Sequence, residues 1–452
     1  MPRPQIHRGG SSAAANVGRL TGLAAGVTGA RSIGLPPWEL LLAAAFIVAI
    51  GSVLNIRGTR GQQASLRIAA FDLFCIAYFA WSVFADIFDS RALEYTVGKT
   101  TLIAPVWSFL AYVAARMVVR TEADLVSYLK GFVAPAILNA LLAVGQTVSP
   151  SFAHVVLTIA PSDGLDTRLT GEKLIRATGL IGHWTGLGFY FCAILAAVGC
   201  VAVMSNGLAR LPVSFLVCGI ACTVGVIVTL TFSVILAALV IIAVVWFSLG
   251  IRPAQLLAVV GGGFLVFLAF GSVLTARITE QTAARPTNAL PSWVPNTLNY
   301  RWRIWTEQTV PAIEQRKLTG WGTRVYTDLS PKRLMPDNLV WKSPESQWLF
   351  AAISYGIIAA ILLAGVIIVA GVVSWRGWRR GGRPLAVVLA LVVGTVIGSI
   401  TDPNITNHGL PVPLFAVIGA TFAVFVPSVY GYSDREKRRF GRGRVPISAA
   451  AL

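Results

Sequence analysis

Residues 300–322 read YRWRIWTEQTVPAIEQRKLTGWG. Residues 343–349 read SPESQWL, and the chain then turns apolar at FAAISYGIIAAILLAG (350–365). These stretches belong to the longest polar interval of a very apolar chain. Of 452 residues, 55% are hydrophobic and only 12% are charged, against about 25% charged in an average soluble domain. Mean hydropathy is +0.71. Such a chain belongs in a bilayer, so its length sets a number of spans and not a number of soluble domains. The polar interval is then a loop carried over a helical bundle.

Working outward from that loop, apolar segments long enough to cross about 30 Å of hydrocarbon fall at 36–56, 67–88, 101–119, 124–148, 178–204, 211–230, 231–249, 254–276, 347–374, 384–401 and 411–430. The fold expected is all-α: a polytopic bundle of about eleven spans. Residues 1–35 read as a flexible basic tail, 36–276 as eight spans, 277–346 as a large outer loop, 347–430 as three more spans, and 431–452 as a basic tail. The apolar run 211–249 divides near Thr229–Ser233, where polar and small residues cluster.

Lys and Arg set the orientation. The C-terminal SDREKRRFGRGR, the linker WRGWRRGGR (375–383), RGTRGQQASLR (57–67) and the linkers at Arg116/Arg120, Arg210 and Arg252 all fall on one side, the cytoplasmic one. Eleven spans put the N-terminal tail outside, against Arg3, Arg8, Arg19 and Arg31. The outer loop also runs against the trend, with ten basic and six acidic residues between Arg277 and Glu345. Long loops are translocated largely regardless of charge, so the excess asks for a function. A cationic, aromatic-rich loop suits an anionic, amphipathic ligand.

The net charge of +18 lies mainly between apolar segments, where it reports topology and contact with anionic membrane lipid; no nucleic-acid-binding signature is present. The five cysteines all fall in apolar segments, without a Cys-x-x-Cys, and read as small buried hydrophobes. No metal-binding spacing, P-loop or Ser–His–Asp signature appears, and no cofactor is implied.

Several residues can carry chemistry. A helix from about Asn299 puts Arg301 and Trp305 on one face and bends or ends near Pro311. Arg301 and Arg303 offer planar forks that suit phosphate oxygens, and on spacing alone they equally suit lipid headgroups at the interface. Arg324 follows the Gly320-Trp321-Gly322 turn. Glu345 is either a general base at the rim of the bilayer or a carboxylate in the first turn of a helix. Arg176 closes a second polar loop in RATGLIGHWTGLG. His183 follows it as an intramembrane histidine, a functional candidate by default or a packed imidazole. His408 shares the loop TDPNITNHGLP with Asp402 and suggests a rim contact.

The order of these parts resembles the O-antigen ligase and O-antigen polymerase family. The large loop opens with R-x-x-x-W (Arg301 to Trp305), continues to L-x-G-x-G (Leu318 to Gly322) and closes on a short polar motif, Glu345-Ser346-Gln347-Trp348-Leu349, before a Gly- and Leu-rich span. RATGLIGHWTGLG is similar to the family's R-x-x-G segment. The likeness covers roughly residues 170–370. It implies an inverting, metal-independent glycosyltransferase of the bacterial inner membrane, working on the extracytoplasmic face. The donor would be an oligosaccharide on undecaprenyl diphosphate, and partners would include a chain-length regulator or other assembly proteins. Arg301 and Arg176, helped by Arg303 or Arg324, would bind the diphosphate. Glu345 would be the base, where many members have histidine. Where many members have Ser-Arg, Thr231-Phe232-Ser233-Val234 keeps the serine and carries valine. The activity expected is polymerisation of lipid-linked repeats. The alternatives are a ligase that transfers a finished glycan to a lipid or protein acceptor, and a transporter of the lipid-linked glycan.

Overall fold

The computed structural model describes residues 12–28, 69–88, 103–171, 174–250, 271–272, 275–282, 290–291, 294–322, 325, 339, 343–405 and 410–426. All regular structure among them is helical. The helices are α1 (Ser12–Thr28), α2 (Ala70–Phe88), α3 (Ile103–Val118), α4 (Glu122–Val148), α5 (Pro150–Ile159), α6 (Asp163–Thr170), α7 (Trp184–Met204), α8 (Val213–Val228) and α9 (Phe232–Leu249). They continue as α10 (Asn296–Arg303), α11 (Val310–Gln315), α12 (Gln347–Arg379), α13 (Pro384–Thr401) and α14 (Pro411–Phe425). Helices α4, α7, α9, α12 and α13 are long and apolar enough to cross a membrane. The expected spans at 36–56 and, for the most part, 254–276 lie outside the described residues, as do the C-terminal tail and most of the N-terminal one.

Helix α1 falls in a stretch expected to be a flexible tail, and its packing shows why it is not. A Cβ at Gly22 would lie 2.0 Å from the Tyr128 carbonyl oxygen, and one at Gly26 would lie 2.2 Å from that of Phe132. On α4, a Cβ at Gly131 would meet the Arg19 carbonyl oxygen at 2.0 Å. Ser127 Oγ donates to the Ala15 carbonyl at 2.8 Å. The glycines that make the segment weakly apolar let two backbones touch, the usual way helices associate where hydrophobic driving force is small. Successive turns of α1 meet successive turns of α4 in the same order, so the helices run parallel. The chain therefore enters α1 at the end of the bundle that carries Arg116 and Arg120.

At the Arg116 end a buried carboxylate is paired. Asp72 accepts from Arg116 and from the Tyr112 hydroxyl, each at 2.7 Å, and from the Ala69 N–H at 2.8 Å. Arg383, before α13, donates to Asn206, after α7, at 3.1 Å. The five cysteines are buried and free.

The opposite end is shaped by a break in α12. The apolar run expected as one span, 347–374, extends to Arg379 and is interrupted at Gly356 (φ 84°, ψ 170°). A broken helix strands carbonyls that hydrocarbon cannot satisfy. Here Trp321 N–H donates to Ile353 O at 2.7 Å and Gly322 N–H to Ser354 O at 2.8 Å. Trp81 Nε1 of α2 donates to Tyr355 O at 2.9 Å. Beyond the break, Ile357 N–H finds the Lys317 carbonyl at 2.8 Å. The turn Leu318–Gly322 is thus a plug in a discontinuous helix. It admits no side chain: a Cβ at Gly356 would lie 1.8 Å from Leu318 O, and one at Gly320, also at positive φ, 2.6 Å from the Ser354 carbonyl. Trp321 fixes the plug from outside through Nε1 to Ala312 O at 2.8 Å.

Between α10 and α11 the chain forms a π turn, Ile304–Thr309. Proline at 311 cannot donate to a preceding carbonyl and crowds the turn before it. The wider turn absorbs that conflict, so the segment expected to kink or stop at Pro311 continues as one helical arm from Asn296 to Gln315.

Gly356→Ala and Gly320→Ala each force a side chain into backbone at positive φ. Each is expected to cost more than ~2 kcal/mol and to lower the melting temperature in detergent by several degrees. Gly381→Ala, at φ 98° with open space around it, keeps only the backbone penalty and should lose less. Equal losses at the three positions would reject the plug.

Candidate functional site

The connection before α7 is non-helical. The span expected from residue 178 begins at Trp184, and His183 caps it, with Nδ1 accepting from the Gly186 N–H at 3.4 Å. Helix α4 supplies acceptors for the freed amides. Gln146 Oε1 takes the N–H groups of Thr178 and Gly179 at 3.0 and 2.9 Å, and Asn139 Oδ1 takes that of Leu180 at 3.0 Å. This rigid turn presents Arg176, which is buried. Its Nε donates to Thr229 O at 3.1 Å and its Nη2 to Thr231 Oγ1 at 2.6 Å. The α8–α9 junction falls where the sequence placed it, and the carbonyl it exposes is the one Arg176 binds. The guanidinium also lies over the Trp184 ring, 4.3 Å from its centroid.

The helical arm 296–315 brings the loop residues to the same end. Arg301 Nη2 pairs with Glu345 Oε2 at 2.9 Å, and Trp305 Nε1 donates to Pro344 O at 2.7 Å. Arg301 and Trp305 thus share a face, as the spacing predicts, and that face grips the chain just before α12. Glu345 is not in the first turn of that helix. The cap residue is Ser346, and Glu345 sits before it at φ 51°, a conformation that costs a side-chain-bearing residue about 1–2 kcal/mol. Its own N–H is held by Ser343 Oγ at 3.1 Å.

Behind Glu345 the packing is polar and buried. Gln347 Oε1 accepts from Ile405 N–H at 2.8 Å, Asn404 Oδ1 accepts from Ser399 Oγ at 2.8 Å, and Ser346 Oγ donates to Ser399 O at 3.4 Å. Asp402 and Asn404 are buried and do not line the rim; the Asn404 side chain binds the end of α13 through Ser399 and Thr395. His408 and Arg324 lie outside the described residues.

Arg303 is exposed and paired along its own helix with Glu307 at 3.1 Å, so the structure does not bring it to Glu345. Two other arginines are brought in that the sequence reading passed over. Arg168, on α6, donates to Leu174 O at 2.9 Å and lies 5.3 Å from the Trp184 centroid. Arg277, in the helical segment 275–282, is buried and pairs with Glu280. Burial first, then the charges of Arg277 and Arg168, push the Arg176 pKa well below the arginine range. The charge of Arg301 reaches Arg176 as well. The only signal for Arg168 and Arg277 in the sequence was their position in polar segments beside spans. Among the described residues, no group of three or more His, Cys, Asp or Glu side chains is placed to hold a metal ion.

Taken together, this end of the bundle holds a carboxylate and an imidazole beside a set of guanidinium groups. Such a set can accept a proton from a hydroxyl and hold a polyanion. Residues 214–364 match the family model described as O-antigen ligase. The match runs from α8 into α12 and includes Thr231, Arg277, Arg301, Glu345 and Gly356. No curated protein matches the chain.

The imidazole sets a pH dependence. Burial lowers the His183 pKa from 6.5 to about 4, with Glu345 pulling the other way. The folded pKa is the lower one, so the unfolded chain takes up the proton first and stability falls as pH drops from about 6.5 towards 4. His183→Asn keeps a capping acceptor and removes the titration. Its melting temperature should fall less than that of the wild type across this window, and parallel curves would show that His183 is not buried as described.

Proposed function

From the O-antigen ligase-family domain that the chain carries at residues 214–364, we propose that this membrane protein is a glycosyltransferase. It polymerises oligosaccharide repeats carried on undecaprenyl diphosphate, at the outer face of the bacterial inner membrane. The observation that carries this reading is the Arg301–Glu345 pair. It stands at the end of the bundle opposite Arg116 and Arg383, among the other buried arginines. A lipid diphosphate has its chain in hydrocarbon and its charge at the rim, and a cationic site at the end of a helical bundle meets both parts.

Glu345 takes the proton from an acceptor hydroxyl as its oxygen bonds to the anomeric carbon of the donor sugar. The bond from that carbon to the diphosphate breaks, and the electron pair leaves with the lipid diphosphate. Fixed guanidinium groups stabilise that developing charge without reorganising. Arg301 holds the Glu345 carboxylate in position, and the strained backbone at 345 aims it away from the helix axis. His183, whose Nδ1 accepts from a backbone amide, has Nε2 left to donate to a sugar hydroxyl. Arg176 faces the diphosphate. The parallel packing of α1 with α4 supports twelve crossings, with both chain ends in the cytoplasm, once the apolar segments at 36–56 and 254–276 are counted. This arrangement agrees with the positions of the basic linkers.

A ligase is the second reading, favoured by the description of the matching family model. The two differ in product.

Purified protein in nanodiscs, given undecaprenyl-diphosphate-linked repeats and a chelator, is expected to make a ladder of longer lipid-linked products. Glu345→Gln and Arg301→Ala should each lower the rate at least ~100-fold at equal expression. A single transfer to a lipid or protein acceptor without a ladder would establish the ligase. Movement of unchanged glycan across the bilayer would establish a transporter. Unchanged rates in both variants would remove these residues from the mechanism.

A further inference from the structure

The polar arm 296–315 has two faces, and the bundle uses one of them. Ala312 and Ile313 pack with Ala352 and Ile353 of α12, and Ile304 is buried as well. The outer face carries Tyr300, Trp302, Arg303, Glu307, Val310 and Glu314, all exposed. A helix that lies in a membrane interface offers its apolar face to the acyl chains. In this arm the apolar face is already packed on the protein, and the outer one mixes aromatic rings with charges. A partner that fits it is polar and still offers a face to an aromatic ring.

Two of these rings flank the residue that holds the candidate base. Tyr300 and Trp302 stand on either side of Arg301 in the chain, and consecutive residues of a helix point about 100° apart. Arg301 points at Glu345, 2.9 Å away, so the rings project to the two sides of that contact, 43% and 45% exposed. The charge of Glu345 reaches the Tyr300 phenol. Next to Trp302, Arg303 pairs with Glu307 at 3.1 Å while their side chains stay 48% and 55% exposed. The pair presents hydrogen-bond donors and acceptors side by side and carries no net charge.

Carbohydrate has the matching chemistry. The C–H face of a pyranose is apolar and rests on the negative face of an aromatic ring, while each of its hydroxyls both donates and accepts. We propose that Tyr300, Trp302 and the Arg303–Glu307 pair form a subsite for the acceptor glycan. Tyr300 lies beside the sugar that reacts at Glu345, and Trp302 with the ion pair holds the sugars beyond it. The assignment rests on the function proposed above and adds a grip on the glycan that is separate from any grip on its lipid diphosphate. It gives Arg303 a contact with sugar hydroxyls in place of phosphate. A neutral aromatic ridge selects by ring shape and hydroxyl pattern, so this subsite sets which repeat is extended.

Full-length protein in nanodiscs is titrated with the repeat-unit oligosaccharide, freed from its lipid diphosphate by mild acid, for the wild type, Trp302→Ala, Trp302→Phe and Glu307→Gln. Trp302→Ala is expected to bind about tenfold more weakly at an unchanged melting temperature, with Trp302→Phe within about threefold of the wild type because it keeps a ring face. Glu307→Gln, which breaks the ion pair, should weaken binding about threefold. In glycan extension, Trp302→Ala should raise KM by about the factor lost in binding and leave kcat within about threefold, since the ring touches no reacting atom. Equal affinity in Trp302→Ala and the wild type, or no binding by the wild type, overturns the subsite. Quenching of Trp302 by brominated lipid, read as the difference between the wild type and Trp302→Phe, would then assign the ridge to the membrane interface. Weakened binding in Trp302→Ala without extension by the wild type would leave the glycan subsite standing and remove the polymerase. Extension by the wild type, with affinity and KM unchanged in Trp302→Ala, would do the reverse.

Discussion

A helix that stops inside an apolar bundle leaves carbonyl groups that no water reaches, and the architecture around the candidate site follows from how that demand is met at Gly356. Trp321 and Gly322 donate from the loop, and Trp81 donates from α2. Ile357 N–H in turn takes a loop carbonyl. Three of these bonds lock the end of the polar arm to the broken span, and the fourth ties the span to α2. Further along the arm, Trp305 binds Pro344 and Arg301 binds Glu345, just before the same helix. Residues 296–322 are therefore anchored on both sides of the short half-helix 347–355, and Arg301 and Glu345 are held on rigid elements and not on a free loop. Preorganisation of this kind is what lets fixed charges act on a reacting group.

The electrostatics follow the same plan. At the Arg116 end, the buried arginine and aspartate neutralise each other, and a tyrosine and a backbone amide complete the carboxylate's bonds. At the opposite end, among the described residues, Arg168 and Arg277 share Glu280, and Arg301 pairs with Glu345. Arg176 spends its donors on a backbone carbonyl and a hydroxyl, neither of which cancels its charge, and the neighbouring arginines share a partly exposed glutamate. The aromatic surface of Trp184 lets two guanidinium groups approach each other, because each gains from the ring face what it loses to repulsion.

By itself the sequence determined that this is a many-span helical protein, where most apolar helices fall, where 211–249 divides, and that a helix in the polar loop carries Arg301 and Trp305 on one face. These features depend on periodicity, hydropathy and turn residues, all local properties. The family match to residues 214–364 falls inside the region whose motifs suggested it.

The tertiary structure alone decided which charges meet. Glu345 looked like a residue of a helical first turn, but its partner lies 44 positions away. Arg303 was a possible helper of Arg301 until the helix face was fixed, and it pairs instead with Glu307. Arg168 and Arg277 had no motif to mark them, because their meeting at Glu280 depends on two separate segments. The glycines of α1 read as weak hydropathy, since a close helix contact rewards the absence of a side chain and hydropathy does not register it. The break at Gly356 was hidden for a related reason: an unbroken apolar run has the composition of one span, and only the donors brought from elsewhere in the chain make a discontinuous helix affordable.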